Sequence, residues 1–290
     1  MPELPEVEAV KNGLMQLIQG KQIRKVTVKW DNLIVGDVSD FESCLVGEQI
    51  EEIKRRGKFL IFTLTHYDLI SHLRMEGKYE YYPDVVIESK HCHIYFTFTD
   101  GSTLVYHDVR KFGRLQLVKK GSALYQENLK KLGVEPLSAA FSATLLQQGL
   151  LKASGMIKPV LLNQQIVVGL GNIYVDESLW QAKVHPKRFA KTLTAAEIYA
   201  IHQAIIDVLT LAVKLGGSTI RTYKNALGEA GAFQQQLMVY GKSGLPCHRC
   251  GTKIEKIKLA GRGTHFCPTC QIEDKQDNRI FQVFKLDGEV

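Results

Sequence analysis

The chain lacks an uninterrupted apolar run of about 18 residues, so we expect no membrane-spanning helix. The first residues are acidic, and they also lack the apolar core of a secretion signal. We therefore expect a cytoplasmic protein. No internal repeat or low-complexity tract occurs in the 290 residues, of which 45% are hydrophobic. This length and composition predict about two domains with sizeable cores.

Acidic residues are scarce in one part of the chain, although the overall net charge is only +7. Residues 221–270 contain eight basic side chains against Glu229 and Glu255, which gives a local charge of +6. Residues 271–290 have the opposite balance, with three basic and five acidic side chains. The basic excess favours a polyanionic partner, although a solubilising surface would carry the same charge.

Cysteine is limited to six residues, and four of them form a regular pattern. Cys247-x-x-Cys250 is followed, after sixteen residues, by Cys267-x-x-Cys270. Four thiolates at this spacing predict one tetrahedral zinc ion, and a closed four-ligand site is structural rather than catalytic. In a reducing compartment zinc is favoured over two disulfides. The remaining two, Cys44 and Cys92, are isolated, and we expect them to be reduced and packed.

Strand-like segments dominate the first 130 residues. They cover residues 22–30, 59–64, 68–75, 93–98, 103–106 and 114–118. Asp100-Gly101 is a typical hairpin turn between two of them. Closely spaced strands with short turns predict an antiparallel β-sandwich or barrel over residues 1–130.

A helical pattern replaces the strands over residues 137–217. We expect helices at 145–153, 158–167, 173–181 and 195–215. Residues 218–235 are polar and contain glycine, which predicts a loop. The cysteine pattern follows within residues 236–270, and residues 271–290 form a tail. The predicted fold class is therefore α+β and multidomain.

The first residues combine groups that suit covalent catalysis. Removal of Met1 would leave Pro2 with a secondary amine, and an α-amine has a pKa of about 7.7–8.0, so part of it is a free nucleophile near neutral pH. Such an amine can attack a sugar carbon and form a Schiff base, with Glu3 beside it as acid or base. Pro5 and the acidic residues would also suit the start of an ordinary helix.

Two further segments suit contacts with phosphate. Gly171-Asn172 is a glycine turn that enters a helix, where backbone amides can bind phosphate or simply cap the helix. Arg262 lies between two glycines at a predicted hairpin tip. A tip flanked by glycines can approach a phosphate closely, so that the arginine can bind it. An ordinary solvated turn arginine is the alternative.

Other candidates lie in the predicted sandwich. Lys58 precedes an apolar strand, and His91 and His93 lie two residues apart, where phosphate contact or hydrogen bonding is favoured over a metal site. Met75, Arg110 and Phe112 combine two apolar wedges with a cation. Such wedges can enter a base stack, and arginine can hydrogen-bond to a base, although core packing would explain the apolar pair equally.

Five motifs together resemble one family, the bacterial formamidopyrimidine-DNA glycosylases. They are MPELPEVE at 1–8, HLRMEGKY at 72–79, HDVRKFG at 107–113, GLGNIYVDE at 169–177 and GRGTHFCPTC at 261–270. The resemblance covers residues 1–270 in the same order throughout. It implies an N-terminal β-sandwich, a central helix–two-turns–helix domain and a C-terminal zinc finger with one structural Zn²⁺. It also implies excision of oxidised purines such as 8-oxoguanine and formamidopyrimidines from damaged double-stranded DNA, by a monomer.

The resemblance also implies a role for each matching residue. Pro2 would be the Schiff-base nucleophile and Glu3 the acid or base. Lys58 would support β-elimination and Arg262 δ-elimination. His91, Asn172 and Lys158 would contact DNA. Met75, Arg110 and Phe112 would fill the gap left by the extruded nucleotide, with Arg110 facing the orphan cytosine, and residues 218–235 would cover the lesion.

Two departures from the family and two alternative functions remain. Cys92 stands where relatives often have Asp, and the chain extends past the usual end after Cys270. An endonuclease VIII-type enzyme would prefer oxidised pyrimidines, but Leu4 and the separated Met75 and Arg110 segments favour the purine branch. A non-catalytic zinc-ribbon DNA-binding protein would need neither a free Pro2 amine nor Glu3.

Overall fold

The computed structural model describes residues 2–218 and 231–273, which form a β-sandwich, a helical domain and a small finger. The helices are α1 Leu4–Ile18, α2 Val38–Leu45, α3 Glu127–Lys130, α4 Ala143–Lys152, α5 Ile157–Leu162, α6 Asn172–Gln181 and α7 Ala195–Lys214. The strands are β1 Ile23–Val28, β2 Ile50–Arg56, β3 Phe59–Leu64, β4 Tyr67–His72, β5 Lys78–Tyr82, β6 Cys92–Phe98, β7 Thr103–His107, β8 Arg114–Lys119, β9 Glu255–Leu259 and β10 Arg262–Phe266.

Two four-stranded antiparallel sheets form the sandwich, in the orders β1-β6-β7-β5 and β2-β3-β4-β8. Side chains alternate across the sheets: Leu60 and Phe62 of β3 enter the sandwich core, whereas Ile61 between them packs in a smaller cluster on the other face. This explains why β3 reads as a continuous apolar run. The predicted fold class is confirmed, with a sandwich rather than a barrel.

Several elements differ from the sequence prediction. β2 and β5 were not predicted, because β2 is mostly charged and contains a register shift, and β5 is short and rich in tyrosine. The strand expected at residues 68–75 ends at His72, since the chain turns through Arg74 with a φ of 53°. The helix expected at 158–167 ends at Leu162, because Gln164 has a φ of 66°.

α1 belongs to two cores at once. Leu4 packs in the core of the helical domain, whereas Val7, Val10 and Leu14 pack in the sandwich core. The helix begins with a capping box in which Glu3 and Glu6 exchange side-chain and backbone hydrogen bonds. Its amino end is therefore fixed where the two domains meet.

A second connection pins the segment that links the domains. The Arg56 guanidinium donates to the carbonyls of Leu132 and Gly133 and to the carboxylate of Glu135 at 3.1 Å. Arg55 also contacts Glu135, at 2.8 Å, and bonds to Glu8 of α1 at 2.7 Å. These pairs are only partly exposed, so screening by solvent is reduced. The linker is held against the sandwich.

The helical domain packs around α6 and α7. α7 begins with a capping box between Thr194 and Glu197, and its buried residues line the core of this domain. By its length and its mean hydropathy of 1.4, α7 is long and apolar enough to cross a membrane, but half of the apolar segment is buried inside the protein. Such a helix is equally typical of a protein core.

The finger docks on the carboxyl end of α6. β9 and β10 form an antiparallel hairpin that pairs Leu259 with Arg262 and turns through Ala260 and Gly261, whose φ angles are 45° and 77°. Trp180 of α6 packs with the cysteine-containing loops, and its indole N–H donates to Cys247 Sγ at 3.4 Å. The finger is thus joined to the same helix that forms the centre of the helical domain.

We expect Gly133→Ala to destabilise the protein by about 1–3 kcal/mol. A β-carbon at Gly133 would lie 2.3 Å from the backbone carbon and oxygen of Ile166, and backbone cannot rotate away as a side chain can. Gly155→Ala is the matched control, because its β-carbon would meet Val160 at an ordinary 3.4 Å and neither glycine has a left-handed φ. Equal urea-unfolding midpoints for the two variants would contradict this packing.

Candidate active site and DNA-binding surface

The carboxylate of Glu3 lies at the amino end of α6. It accepts hydrogen bonds from the backbone N–H groups of Gly171 at 2.7 Å, Ile173 at 3.0 Å and Tyr174 at 3.4 Å. Gly171 is required here, because a β-carbon would lie 2.3 Å from the Glu3 carboxyl carbon. The helix dipole and three donors favour the charged carboxylate, which is otherwise buried.

Burial has the larger effect on the protonation of Glu3. It raises the pKa of Glu3 to about 7, with a further increase from Glu6, while Lys58 and the backbone amides of Ile173 and Tyr174 act in the opposite direction. Near neutral pH the group is therefore divided between carboxylic acid and carboxylate. A group in that state can donate a proton to one atom and accept a proton from another.

Glu6 joins the same site to the end of α7. Its carboxylate accepts from the Tyr174 hydroxyl at 2.5 Å and from the backbone N–H of Ser218 at 2.7 Å. A β-carbon at Gly217 would lie 2.7 Å from a Glu6 oxygen, so the chain after α7 approaches as closely as glycine allows. The loop predicted to cover a lesion starts at this point, and its residues 219–230 lie outside the described residues.

Lys58 is buried next to this acidic pair. Burial lowers the pKa of Lys58, and the positive charge of Arg262 lowers it further, while Glu3 and Glu6 oppose the shift. The preceding Gly57 has a φ of 57°, and its N–H donates to Glu135 at 2.6 Å. A lysine with a lowered pKa gives up its proton more readily, which suits proton transfer.

Pro2 is buried directly before Glu3 in the chain, and the Leu4 N–H bonds to the Gly169 carbonyl at 3.0 Å. The first residues therefore have a fixed course between the two domains. His72, which was not predicted as a site residue, has a pKa lowered to about 3 by burial and by the charges of Arg74 and Lys58. Its imidazole is neutral near Lys58, and its Nδ1 accepts from the Arg74 N–H at 2.9 Å.

Lys158 is not at the surface expected for a residue that contacts DNA. Its side chain is fully buried, and its ammonium contacts Asp176 at 2.6 Å and the Gly263 carbonyl at 3.2 Å. Burial lowers the pKa of Lys158, and Asp176 acts against this shift. Lys158 is buried rather than exposed because its ammonium compensates the buried carboxylate of Asp176 on α6. The pair anchors β10 to α6, since Asp176 also accepts from the His265 N–H at 2.9 Å.

Asn172 and Arg262 lie at the border between α6 and the finger. The Asn172 amide donates to the Gly263 carbonyl at 2.9 Å, while its side-chain oxygen has no partner among the described residues. Arg262, the first residue of β10, is exposed, and its charge acts on both Lys58 and Lys158. The structure thus brings Lys58 within electrostatic range of both Glu3 and Arg262.

The turn after β7 presents Arg110 and Phe112. Both are exposed, and the guanidinium carbon lies 4.7 Å from the Phe112 ring centre. The buried carboxylate of Asp108 fixes the turn by accepting from the N–H groups of Arg110 and Phe112, both at 2.9 Å, and of Gly113 at 2.8 Å. Asp108 was not identified from the sequence as a residue that fixes this turn. The available signal was its position two residues before Arg110.

The remaining sandwich residues occupy two environments. Met75 is partly exposed in the turn between β4 and β5. His91 is partly exposed just before β6, and its ring contacts that of His107 at 5.5 Å between centroids. His93 is buried, and its Nε2 bonds to the Asp108 carbonyl at 2.9 Å. His93 is therefore a structural partner of the Arg110 segment.

The four cysteines form a site that fits zinc. Their sulfur atoms all lie within 4.8 Å of one another, and tetrahedral zinc with bonds of about 2.3 Å separates sulfur atoms by about 3.8 Å. Cys247, Cys250, Cys267 and Cys270 would hold the ion. The Trp180 N–H directed at Cys247 is the kind of donor that supports a metal-bound thiolate. The predicted structural zinc finger is thus supported by geometry.

Family models match three consecutive parts of the chain. Residues 1–115 match the formamidopyrimidine-DNA glycosylase N-terminal domain, residues 132–224 the H2TH domain of the same enzymes, and residues 244–272 the zinc finger found in FPG and IleRS. The chain belongs to the formamidopyrimidine-DNA glycosylase family. The resemblance found in the sequence motifs is thereby confirmed.

Relatives and solved structures agree over almost the whole chain. The formamidopyrimidine-DNA glycosylase of Enterococcus faecalis is 56% identical over 272 residues, covering 93% of this chain and 97% of that one. That of Streptococcus pneumoniae is 54% identical, covering 94% and 100%. Lactococcus lactis Fpg in complex with an abasic site containing DNA has a TM-score of 0.89 at 46% identity, covering 93% and 99%. Its complex with an N7-benzyl-Fapy-dG containing DNA has the same TM-score at 45% identity, covering 93% and 100%.

The pKa of Glu3 predicts a pH-dependent stability. Because the folded pKa of about 7 exceeds the unfolded value of 4.5, the folded state binds the proton more tightly. The free energy of unfolding contributed by this group should decline as pH rises from 4.5 to 7, by at most on the order of 3 kcal/mol. Urea unfolding of the unmodified protein and Glu3→Gln at several pH values measures the difference.

Glu8→Gln provides a control of opposite sign for this experiment. Burial acts to raise the pKa of Glu8, but hydrogen bonds from Lys11 and Arg55 outweigh it and lower the pKa. The stability due to Glu8 should therefore be lost as pH falls below its ordinary range. A difference between the unmodified protein and Glu3→Gln that stays constant with pH would contradict the raised pKa.

Cys267→Ser should remove zinc and DNA binding together. Structural zinc contributes on the order of 10–16 kcal/mol of apparent binding free energy in small fingers, so a three-ligand finger should unfold. The sandwich has its own core and should stay folded. Metal analysis, DNA titration and near-ultraviolet circular dichroism test this, with Cys44→Ser, outside the cluster, as the control. Full DNA affinity in a metal-free Cys267→Ser protein would refute it.

Proposed function

We propose that this chain removes oxidised purines, such as 8-oxoguanine and formamidopyrimidines, from damaged double-stranded DNA and then cuts the strand at the resulting abasic site. The observation that carries the proposal is Glu3, a carboxylic group with a pKa of about 7 that is held next to Pro2 at the amino end of α6. The complexes of a Lactococcus lactis Fpg mutant with Fapy-dG containing DNA and of Lactococcus lactis Fpg with abasic-site DNA support the substrate class.

Pro2 acts as the nucleophile once Met1 has been removed. Its secondary amine attacks C1′ of the sugar, the C1′–N bond to the base breaks, and the ring-opened adduct is an iminium. The iminium acidifies the C2′ hydrogens, so that loss of a C2′ proton expels the 3′-phosphate, and a further elimination expels the 5′-phosphate. Glu3 transfers protons during these steps, because its pKa allows both directions near neutral pH.

Lys58 and Arg262 assist the two eliminations. Lys58 has a lowered pKa and lies within electrostatic range of Glu3, which suits proton transfer during β-elimination. Arg262 is exposed at the start of β10 and can bind the departing phosphate during δ-elimination. Asn172 and His91 contact the DNA backbone beside them. Lys158 acts from a buried position, through Asp176 and the Gly263 carbonyl, rather than by a contact at the surface.

Met75, Arg110 and Phe112 fill the gap that the extruded nucleotide leaves in the duplex. Extrusion is needed because the reacting sugar carbon is not accessible within the stack. The Arg110 guanidinium has only donors, and cytosine presents acceptors at O2 and N3, so Arg110 favours cytosine over adenine as the opposite base. This preference protects the genome, since removal of 8-oxoguanine from a pair with adenine would fix a mutation.

The protein works as a monomer on nucleoid DNA in the cytoplasm, without a membrane partner. The absence of a membrane partner is supported by α7, because its buried apolar residues pack in the helical core. Oxidised pyrimidines are the second candidate substrate, because a Lactococcus lactis Fpg complex with TM-score 0.88 and 44% identity contains an oxidised pyrimidine containing DNA. Comparing excision of 8-oxoguanine with excision of thymine glycol ranks the two.

Blocking the Pro2 nitrogen tests the mechanism. A protein that carries an N-terminal tag has an amide at Pro2, whose delocalised lone pair cannot act as a nucleophile. Borohydride should trap the processed protein on damaged DNA and give no adduct with the tagged protein. Both should bind the DNA, which a gel-shift titration measures as the control. Normal trapping by a tagged protein, verified by mass spectrometry, would make Lys58 the first alternative nucleophile.

A further inference from the structure

The hydroxyl of Tyr106 is buried without a hydrogen-bond partner among the described residues. Tyr106 lies in β7 and is 0% exposed. Leaving such a group unsatisfied costs about 1–3 kcal/mol. The neighbouring Tyr79 has its ring 5.1 Å away and donates from its own hydroxyl to Ser71 at 2.8 Å. Phenylalanine at position 106 would avoid this cost, so hydrogen bonding within the described residues does not explain the oxygen.

The unpaired oxygen lies between two glycines from different parts of the chain. A β-carbon on Gly77 would lie 2.1 Å from the Tyr106 hydroxyl oxygen, and one on Gly113 would lie 1.8 Å from it. Both distances are far below any tolerated contact, so the oxygen touches both backbones. Only glycine at the two positions leaves room for it.

Gly77 ends the first of two turns, residues 73–77, which we name the Met75 turn. The Gly77 N–H donates to the Leu73 carbonyl at 2.9 Å and closes the turn. Arg74, directly before Met75, has a left-handed φ of 53°. The conformation of this turn is therefore defined by its own hydrogen bond and by the contact of Gly77 with Tyr106.

Gly113 ends the second turn, residues 108–113, which we name the Arg110 turn. Its N–H donates to Asp108 at 2.8 Å, and its carbonyl accepts from the Arg114 guanidinium at 2.8 Å. Lys111 in this turn has a φ of 57°. The register of β5 with β7 pairs Lys78 with His107, which brings the two turns to the same end of one sheet.

We propose that Tyr106 is a positioning residue that couples the Met75 turn to the Arg110 turn, so that both enter the duplex together. The inference rests on the proposed function of the two turns. Close-packed interiors transmit displacement, and a single oxygen in contact with both glycines prevents either turn from moving toward the sheet independently. Through this contact the hydroxyl sets the separation of the two turns.

Tyr106→Phe separates this role from a structural one. Removing an unsatisfied hydroxyl should leave Tm unchanged or raise it, whereas the turns lose their common contact. Single-turnover excision of 8-oxoguanine is measured opposite cytosine and opposite adenine. We expect the cytosine-to-adenine ratio of rate constants to fall by about threefold or more. Arg110→Ala in the same assay gives the ratio that remains without the arginine.

Tyr79→Phe is the matched control. The Tyr79 hydroxyl has a hydrogen-bond partner, and no Tyr79 atom is among the three atoms nearest to a β-carbon placed on Gly77 or Gly113. It should lower Tm by roughly 2–4 °C and leave the ratio unchanged. An unchanged ratio in Tyr106→Phe would overturn the proposal, and so would an equal fall in Tyr79→Phe. Absence of excision by the unmodified protein would instead contradict the proposed function, so the two failures are distinguishable.

Discussion

The carboxylate of Glu3 lies on the amino end of α6, and the two large domains meet through this contact. Moving a carboxylate out of water costs several kcal/mol, and here three backbone N–H groups and the helix dipole offset part of that cost. Because the donors belong to one domain and the carboxylate to the other, Glu3 has this environment only when both domains are folded and joined. Burial raises the pKa of Glu3 to about 7.

α6 extends this dependence to the rest of the molecule. Along one 10-residue helix, Tyr174 binds Glu6, Asp176 binds Lys158 and His265, and Trp180 packs on the finger. Glu177 accepts from three consecutive backbone N–H groups at residues 238–240, each within 3.0 Å. The helix is therefore buried on nearly all sides, and the motif GLGNIYVDE places an acidic pair inside this buried element. The carboxylates of this pair, Asp176 and Glu177, each accept hydrogen bonds from other segments.

Local patterns predicted the features that local chemistry decides. The cysteine spacing predicted the zinc site, alternation predicted most strands, and the glycine turn before Asn172 correctly marked the start of α6. Long-range pairing was not accessible in the same way. The burial of Lys158 depends on Asp176, eighteen residues away, and no pattern near Lys158 indicates that partner. Likewise, β2 is charged along its exposed face and becomes a strand because β3 pairs with it.

The link between Arg56 and the segment of Leu132, Gly133 and Glu135 has a mechanical consequence. It fastens the connection between the domains by several hydrogen bonds within the protein itself, so the position of this segment does not depend on DNA. A segment held in this way leaves the deformation to the duplex, and bending a site costs on the order of 1–6 kcal/mol for intact DNA. A damaged base pair unstacks at lower cost, so damaged DNA can deform more easily than intact DNA.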